Sequence, residues 1–169
     1  MSGQVRTERG FYMPAEYMPH QATIMIFPVR PGSWPYSGWM AQDVFANIIR
    51  EIAGSEKVYV IVDERTYEAA SLRLKNVENI ELLNIQTDDA WARDTAPTFV
   101  TNGREVRGIN WRFNAWGGDY NGLYRNWGRD DKLASAFLSA TGFRMINASP
   151  FVLEGGSIHS NGVDTLLTT

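Results

Sequence analysis

The chain has no cysteine in 169 residues and only two histidines, His20 and His159. The missing thiols exclude disulfides, thiolate metal sites and a cysteine nucleophile within these residues. No apolar run approaches the ~18 residues a membrane-spanning helix needs, so no membrane contact is expected. The net charge is −3, from 16 basic and 19 acidic residues, and gives a nucleic-acid-binding surface no support. Met1-Ser2-Gly3-Gln4-Val5-Arg6 carries no apolar run behind it, so no signal peptide is read there and the cytoplasm is the default compartment. What the chain does have is aromatic surface: six tryptophans, seven tyrosines and eight phenylalanines in an ordinary 44% apolar composition. Most such rings only pack in cores. The length suits a single domain over 1–169.

Hydrophobic patterning organises the first half. The polar residues 1–21 are expected to wrap the surface. Ala22 to Phe27 reads as a short buried strand, and Pro28 to Pro35 as a loop. A helix is predicted from Trp39 to Ala53, with Val44, Phe45, Ile48, Ile49 and Ile52 on its buried face and Gly54 as its stop. Lys57 to Val62 is the next strand. A second helix is expected from Glu64 to Lys75, with Tyr67, Ala70, Ser71 and Leu74 inward, and Ile80 to Ile85 is a third strand. Strand–helix–strand–helix–strand is an α/β order.

The second half changes pattern. Asn102-Gly103 lies between Thr98–Thr101 and Glu105–Ile109, a hairpin signal. Asn114 to Tyr120 is a glycine-rich loop. Asp130, read with Asp131 as helix capping rather than metal ligation, opens a helix to about Thr141 with Leu133, Phe137 and Leu138 inward. A strand follows over Phe143 to Ile146. A second hairpin is predicted around Asn161-Gly162, from Ser157–Ser160 and Val163–Leu167. The two turns are 59 residues apart, with Asp94 eight residues before the first and Glu154 seven before the second. Repetition of this kind suggests a radial architecture in which both acids face one axis. The final strand lacks a closing helix, so an unpaired edge and an open core are expected there.

The densest chemistry lies in Asp88-Asp89-Ala90-Trp91-Ala92-Arg93-Asp94, on the connection between two strand-like segments. A carboxylate beside an indole suits a flat cation: the carboxylate pairs bidentately with a guanidinium and the indole stacks on it. On these residues alone, Asp94 could equally be a loop carboxylate paired with Arg93, Glu154 a solvated lead-in to a hairpin, and Trp91 plain packing. His159 reads as a strand residue and His20 as structural. The Trp116-Gly117-Gly118 loop either lines an entrance or forms a tight turn.

Met13-Pro14-Ala15-Glu16-Tyr17, the Asp88–Asp94 cluster, Phe113-Asn114-Ala115-Trp116-Gly117-Gly118 and Leu153-Glu154-Gly155-Gly156-Ser157-Ile158-His159 together resemble the agmatine deiminase branch of the peptidylarginine-deiminase-like family. The resemblance spans nearly the whole chain. It implies an α/β pentein-type fold, a pseudo-fivefold propeller of ββαβ modules, with about two to three modules in this chain. It implies hydrolysis of agmatine, a small guanidinium substrate, to N-carbamoylputrescine and ammonia without metal or cofactor. A cysteine thiolate would form a covalent amidino intermediate, with a histidine as general acid and base. By the resemblance, Asp94 binds the guanidinium, Trp91 packs on the substrate and Glu154 orients the catalytic histidine. Asp94 and Glu154 form the expected catalytic pair; Trp91, Asp94 and Asp89 form the expected substrate-binding set. Arg93 ties the loop together, Asp89 neutralises Arg93, and Gly155 and Gly156 let backbone approach the site. The nucleophilic cysteine and the catalytic histidine have no counterpart among these residues, and His159 does not match that histidine. A peptidyl-arginine or arginine deiminase and a non-catalytic guanidinium-binding remnant are the alternatives. Relatives suggest a homo-oligomer.

Overall fold

A computed structural model describes residues 10–169; the expectations placed on 1–9 lie outside the described residues. Three parallel strands, β1 (Ala22–Ile26), β2 (Lys57–Val62) and β3 (Ile80–Asn84), form the first sheet in the order β1-β2-β3. Helices α1 (Trp39–Ala53) and α2 (Tyr67–Arg73) connect them. Period-two alternation along β2 divides the core. Val58, Val60 and Val62 point to α1 and α2, where they meet Ala46, Ile49, Ala53, Ala70 and Leu74. Ile61 joins Ile26, Leu83 and Ile85 on the opposite face. That face is covered by Leu133, Phe137 and Leu138 of α5 (Asp130–Thr141). Burial on both faces is what parallel sheets require, and each such aliphatic side chain contributes roughly 1.5–3 kcal/mol.

The second sheet has the order β4-β5-β6. β4 (Thr98–Thr101) and β5 (Val106–Arg112) are antiparallel; α5 then crosses over, and β6 (Arg144–Val152) returns parallel to β5. This is one ββαβ unit. Helix α5 lies close on β5 because Gly108 has no side chain: a Cβ there would stand 2.2 Å from a Leu138 methyl. The hairpin β7 (Ile158–Ser160) and β8 (Leu166–Thr168) forms a separate two-stranded sheet, and β8 is exposed along its length.

The two Asn-Gly turns share one chemistry. The Asn102 side-chain oxygen accepts the amides of Arg104 and Glu105, and that of Asn161 accepts those of Val163, Asp164 and Thr165. Gly103 and Gly162 both take positive φ, 82° and 78°. The connecting loops are longer than tight two-residue turns, because these side-chain bonds stabilise a wider Asx turn.

Several expectations are corrected. The buried face of α1 is Gln42, Ala46, Ile49 and Ala53, flanked by Phe45 and Ile52; Val44 and Ile48 are exposed. Tyr67 is likewise exposed, while Ala70 and Leu74 point inward. Helix α2 begins later than expected because Asp63 and Thr66 close a turn: the Asp63 carboxylate accepts Arg65 N–H at 2.9 Å, and the Thr66 hydroxyl accepts Asp63 N–H at 3.1 Å. Strand β6 runs past Pro150 to Val152, which an edge strand tolerates because its outer N–H groups have no ladder to join. Asp130 does not cap α5, whose N-cap is Arg129; its carboxylate bonds a different loop.

Candidate active site

The loops leaving the carboxyl ends of β1, β2 and β3 meet on one side of the sheet, where open α/β sheets usually bind ligands. The first loop is pinned by α1. Gln42 Nε2 donates to Pro28 O at 2.9 Å, and Gly38 sits so close to Pro28 that a Cβ would fall 2.5 Å from the same oxygen. This fixes Ser33 and Trp34 above the sheet.

Asp89, on the third loop, is only 1% exposed. Its carboxylate accepts Trp34 Nε1 and Trp91 Nε1, both at 2.8 Å, its neighbour Ala90 N–H at 2.8 Å, and the Ser33 hydroxyl. Four donors satisfy the hydrogen-bonding capacity of this buried carboxyl group. The expectation that Asp89 neutralises Arg93 is therefore corrected: Arg93 pairs instead with Glu16 at 2.5 Å and holds the Glu16 carboxyl below its ordinary range. Asp89 is also part of the expected substrate-binding set. Its oxygens are occupied by protein donors, and what it does is fix two indoles.

Those indoles belong to a cluster. Trp91 lies 6.3 Å from Trp34 and meets the Trp116 ring edge-on at 5.3 Å. Trp116 in turn meets Phe113 at 5.1 Å and Tyr124 at 6.2 Å. Ala115 and Trp116 hold φ of 53° and 61°, a left-handed conformation that L side chains adopt only at a cost. The turn is tight, and it presents an aromatic ring to Trp91. A cavity of about 230 Å3 opens beside Trp91, lined by Arg30, Gly32, Ser33, Leu123 and Tyr124.

Asp94 sits on the short helix α3 (Ala92–Thr95), whose first turn is closed by Asp94 N–H and Thr95 N–H on Trp91 O, each at 3.0 Å. Asp94 Oδ1 accepts Gly156 N–H at 3.1 Å. The turn that opens at Glu154 therefore arrives beside α3, although Glu154 and Asp94 are 60 residues apart in sequence. The approach is close: a Cβ on Gly155 would lie 2.3 Å from Arg93 O, and one on Gly156 would lie 2.5 Å from Asp94 Oδ1. Burial raises the Asp94 carboxyl above its ordinary range, against the opposing pull of the Gly156 N–H and the Arg93 charge. Glu154 is half-buried at the start of this turn; Ser157 bonds its backbone oxygen, and its carboxylate makes no hydrogen bond or ion pair among the described residues.

Behind the loop stands a support that sequence reading missed. Asp130 Oδ1 accepts the amides of Asp88 and Asp89 at 2.7 and 3.3 Å, and its other oxygen accepts the Tyr124 hydroxyl at 2.5 Å. Burial pushes the Asp130 carboxyl up to about 6 and the Tyr124 hydroxyl far above its ordinary value. Asp88 returns the bond by accepting Arg129 N–H at 2.8 Å. Asp131 accepts Phe113 N–H at 2.8 Å. Trp34, Ser33, Glu16 and Asp130 were not singled out for the site because their partners lie 41 to 77 residues away.

His159 is exposed on β7 opposite Leu167, and His20 bonds Glu16 O at 2.8 Å near Glu56. Among the described residues no group of three or more potential metal ligands gathers, and no helix is long and apolar enough to cross a membrane. The site thus offers one half-buried carboxylate, Asp94, and an aromatic wall built on Trp91. This set can hold a planar cation by paired N–H···O bonds and ring contact.

The model of the Porphyromonas-type peptidyl-arginine deiminase family matches residues 12–169. The agmatine deiminase of Ectopseudomonas mendocina is 52% identical over 161 residues, covering 95% of this chain and 44% of that protein. Agmatine deiminase of Pseudomonas aeruginosa is 46% identical over 172 residues, covering all of this chain and 46% of that protein. The chain thus spans just under half the length of these relatives. Among solved structures, the agmatine deiminase of Enterococcus faecalis superposes with a TM-score of 0.89 at 37% identity, over 94% of this chain and 43% of that one. The solved structure of C. Jejuni agmatine deiminase shares the fold at 22% identity with a TM-score of 0.74, over 94% of this chain and 45% of that one. The α/β class and the partial pentein arrangement expected from the sequence hold against these structures.

Proposed function

Because the chain belongs to the Porphyromonas-type peptidyl-arginine deiminase family, we propose that it forms the guanidinium-binding part of an agmatine deiminase, releasing ammonia from agmatine and leaving N-carbamoylputrescine. The observation that carries this reading is the junction of Asp94 with Gly156, which sets the Glu154-Gly155-Gly156 turn against a half-buried carboxylate beside Trp91.

In this reading Asp94 Oδ2 and a rotated Oδ1 accept guanidinium N–H groups, and the Trp91 ring packs on the cation. Asp89 acts through Trp91 by holding its indole in place. The nucleophile is a cysteine thiolate outside these residues. Its sulfur bonds to the guanidinium carbon, a C–N bond breaks, and ammonia leaves with a proton from a histidine. Water then attacks the same carbon, the histidine takes its proton, and the C–S bond breaks to free the urea product and the thiolate. Glu154 orients that histidine. Asp94 holds the carbon in line with the sulfur, which is where positioned binding lowers the barrier. No cofactor or metal enters these steps. The cytoplasmic setting, a homo-oligomeric assembly and a single domain over 1–169 belong to the same proposal.

One observation favours a second substrate. Arg30 stands beside Trp91 in the small cavity, its guanidinium carbon 4.3 Å from the Tyr124 ring centre. A cation there could take the carboxylate of arginine, which agmatine lacks. Ammonia release by the intact protein from agmatine, arginine and a peptide with an internal arginine separates these. Faster release from agmatine is expected. Preference for arginine, lost in Arg30→Gln, would move the assignment to the second substrate; no ammonia from any of the three would end the deiminase reading.

A further inference from the structure

Behind the Asp88–Asp89 loop, the ends of β3, β5 and α5 and the loop at 30–32 enclose an open cleft of about 1190 Å3. Its lining carries six cationic side chains, Arg30, Arg65, Arg112, Arg125, Arg129 and Lys132, against two carboxylates, Asp88 and Asp131. The chain as a whole has a net charge of −3, so this concavity runs against its average. We propose that the cleft is a binding site for a small, multiply charged phosphate anion of the di- or triphosphate class.

Three of the cations are already held in place. Arg65 forks onto the buried Asp63 carboxylate and reaches Thr87 O at 2.5 Å. Arg30 lies over the Tyr124 ring, and Arg112 Nε is 3.3 Å from Asp131. The other three, Arg125, Arg129 and Lys132, are exposed, and their side chains make no hydrogen bond or ion pair among the described residues. A partly fixed cationic wall faced by free cations can close on a ligand while ordering few side chains, which keeps the binding cost low. Guanidinium groups match phosphate oxygens in pairs. The like charges line one concavity, so an anion bound there relieves their mutual repulsion, an effect that salt screens.

The chemistry of the cleft separates it from the site above. A guanidinium or amine ligand would be repelled here. A long nucleic acid is a poorer match than a small anion, because six cations line one concavity while the chain as a whole carries a net negative charge. The proposal does not rest on the deiminase reading.

Isothermal titration of the intact protein with sodium tripolyphosphate tests it, comparing wild type with the Arg125→Glu/Lys132→Glu double variant. Saturable one-to-one binding is expected, weakening as salt rises, and the double variant should bind about tenfold or more weakly with its thermal midpoint unchanged. If the double variant does not fold, Arg125→Gln/Lys132→Gln provides the comparison, with a loss of about threefold or more. No saturable heat up to about 10 mM ligand, or equal affinity in wild type and the folded variant, would overturn the proposal. So would a single-stranded RNA oligonucleotide binding more tightly than tripolyphosphate, since it would assign the cleft to a polymer.

Discussion

Asp130 is the clearest case of one residue tying fold to site. It is buried, it carries the amides of Asp88 and Asp89, and its carboxyl is pushed up to about 6 by loss of water. A carboxyl whose folded value lies above its unfolded value binds its proton more tightly when folded. Its stabilising contribution is present below about 3.8 and is lost as pH rises through about 6. The rise of about two units corresponds to roughly 3 kcal/mol between those limits. Asp130→Asn keeps an oxygen for the two amides and cannot ionise. Relative to wild type, the variant is therefore expected to gain stability between pH 4 and pH 7.5, read as a widening difference in urea midpoints of the intact protein. A difference independent of pH would mean that Asp130 does not carry this cost. Asp89 has a different role: its four donors come from Ser33, Trp34, Ala90 and Trp91, so it holds indoles in place where Asp130 holds backbone amides.

The elements that matter most for the site are two short turns, α3 and the segment Gly155–Ser157, which touch where the second has no room for a side chain. Gly156→Ala would drive a methyl to 2.5 Å from Asp94 Oδ1 and must displace either the turn or the carboxylate. Overpacking of this kind costs roughly 1–3 kcal/mol, and ammonia release should fall at least about tenfold. Gly142→Ala is the control. Gly142 ends α5 at φ 77° with nothing near its missing Cβ, so that change should cost about 1 kcal/mol of stability and leave turnover alone. Equal effects from the two changes would show that contact with Asp94 is not what requires glycine at 156.

Much of this level was legible in the sequence. Val58, Val60 and Val62 alternate, Ile49 and Ala53 recur at helical spacing, and Asn102-Gly103 and Asn161-Gly162 mark turns through bonds within four residues. Local periodicity and local hydrogen bonds are sequence properties, so α1, β2 and α5 have the bounds expected of them. The misses have a common cause. Val44 and Ile48 look buried by composition, but a helix face is chosen by what it packs on, and small Ala46 and Ala53 let α1 approach the sheet. Arg93 has an acid four positions before it, yet it takes Glu16, because Asp89 is claimed by Trp34 and Trp91. Tertiary competition of that kind leaves no local trace.

At the scale of the molecule, chain segments from residue 16 to residue 156 converge on one edge of the first sheet. Glu16, Ser33, Trp34, Asp89, Trp91, Asp94 and Gly156 are linked by direct bonds or adjacency, so the aromatic wall and Asp94 belong to one connected unit. The relatives it matches are more than twice as long, with this chain spanning 44 to 46% of two of them. The exposed Phe151, Leu166 and Leu167 lie on β6 and β8, each of which has a single strand partner among the described residues. The central claim is that Asp94 is the anionic anchor for a guanidinium. The direct measurement is ammonia release from agmatine by the intact protein, wild type against Asp94→Asn, with folding of both checked by circular dichroism. The account predicts that wild type turns over and that the variant loses roughly a hundredfold or more in kcat/KM, the loss expected when one partner of a desolvated charge pair is removed. A folded Asp94→Asn protein with kcat/KM within about twofold of wild type would contradict it.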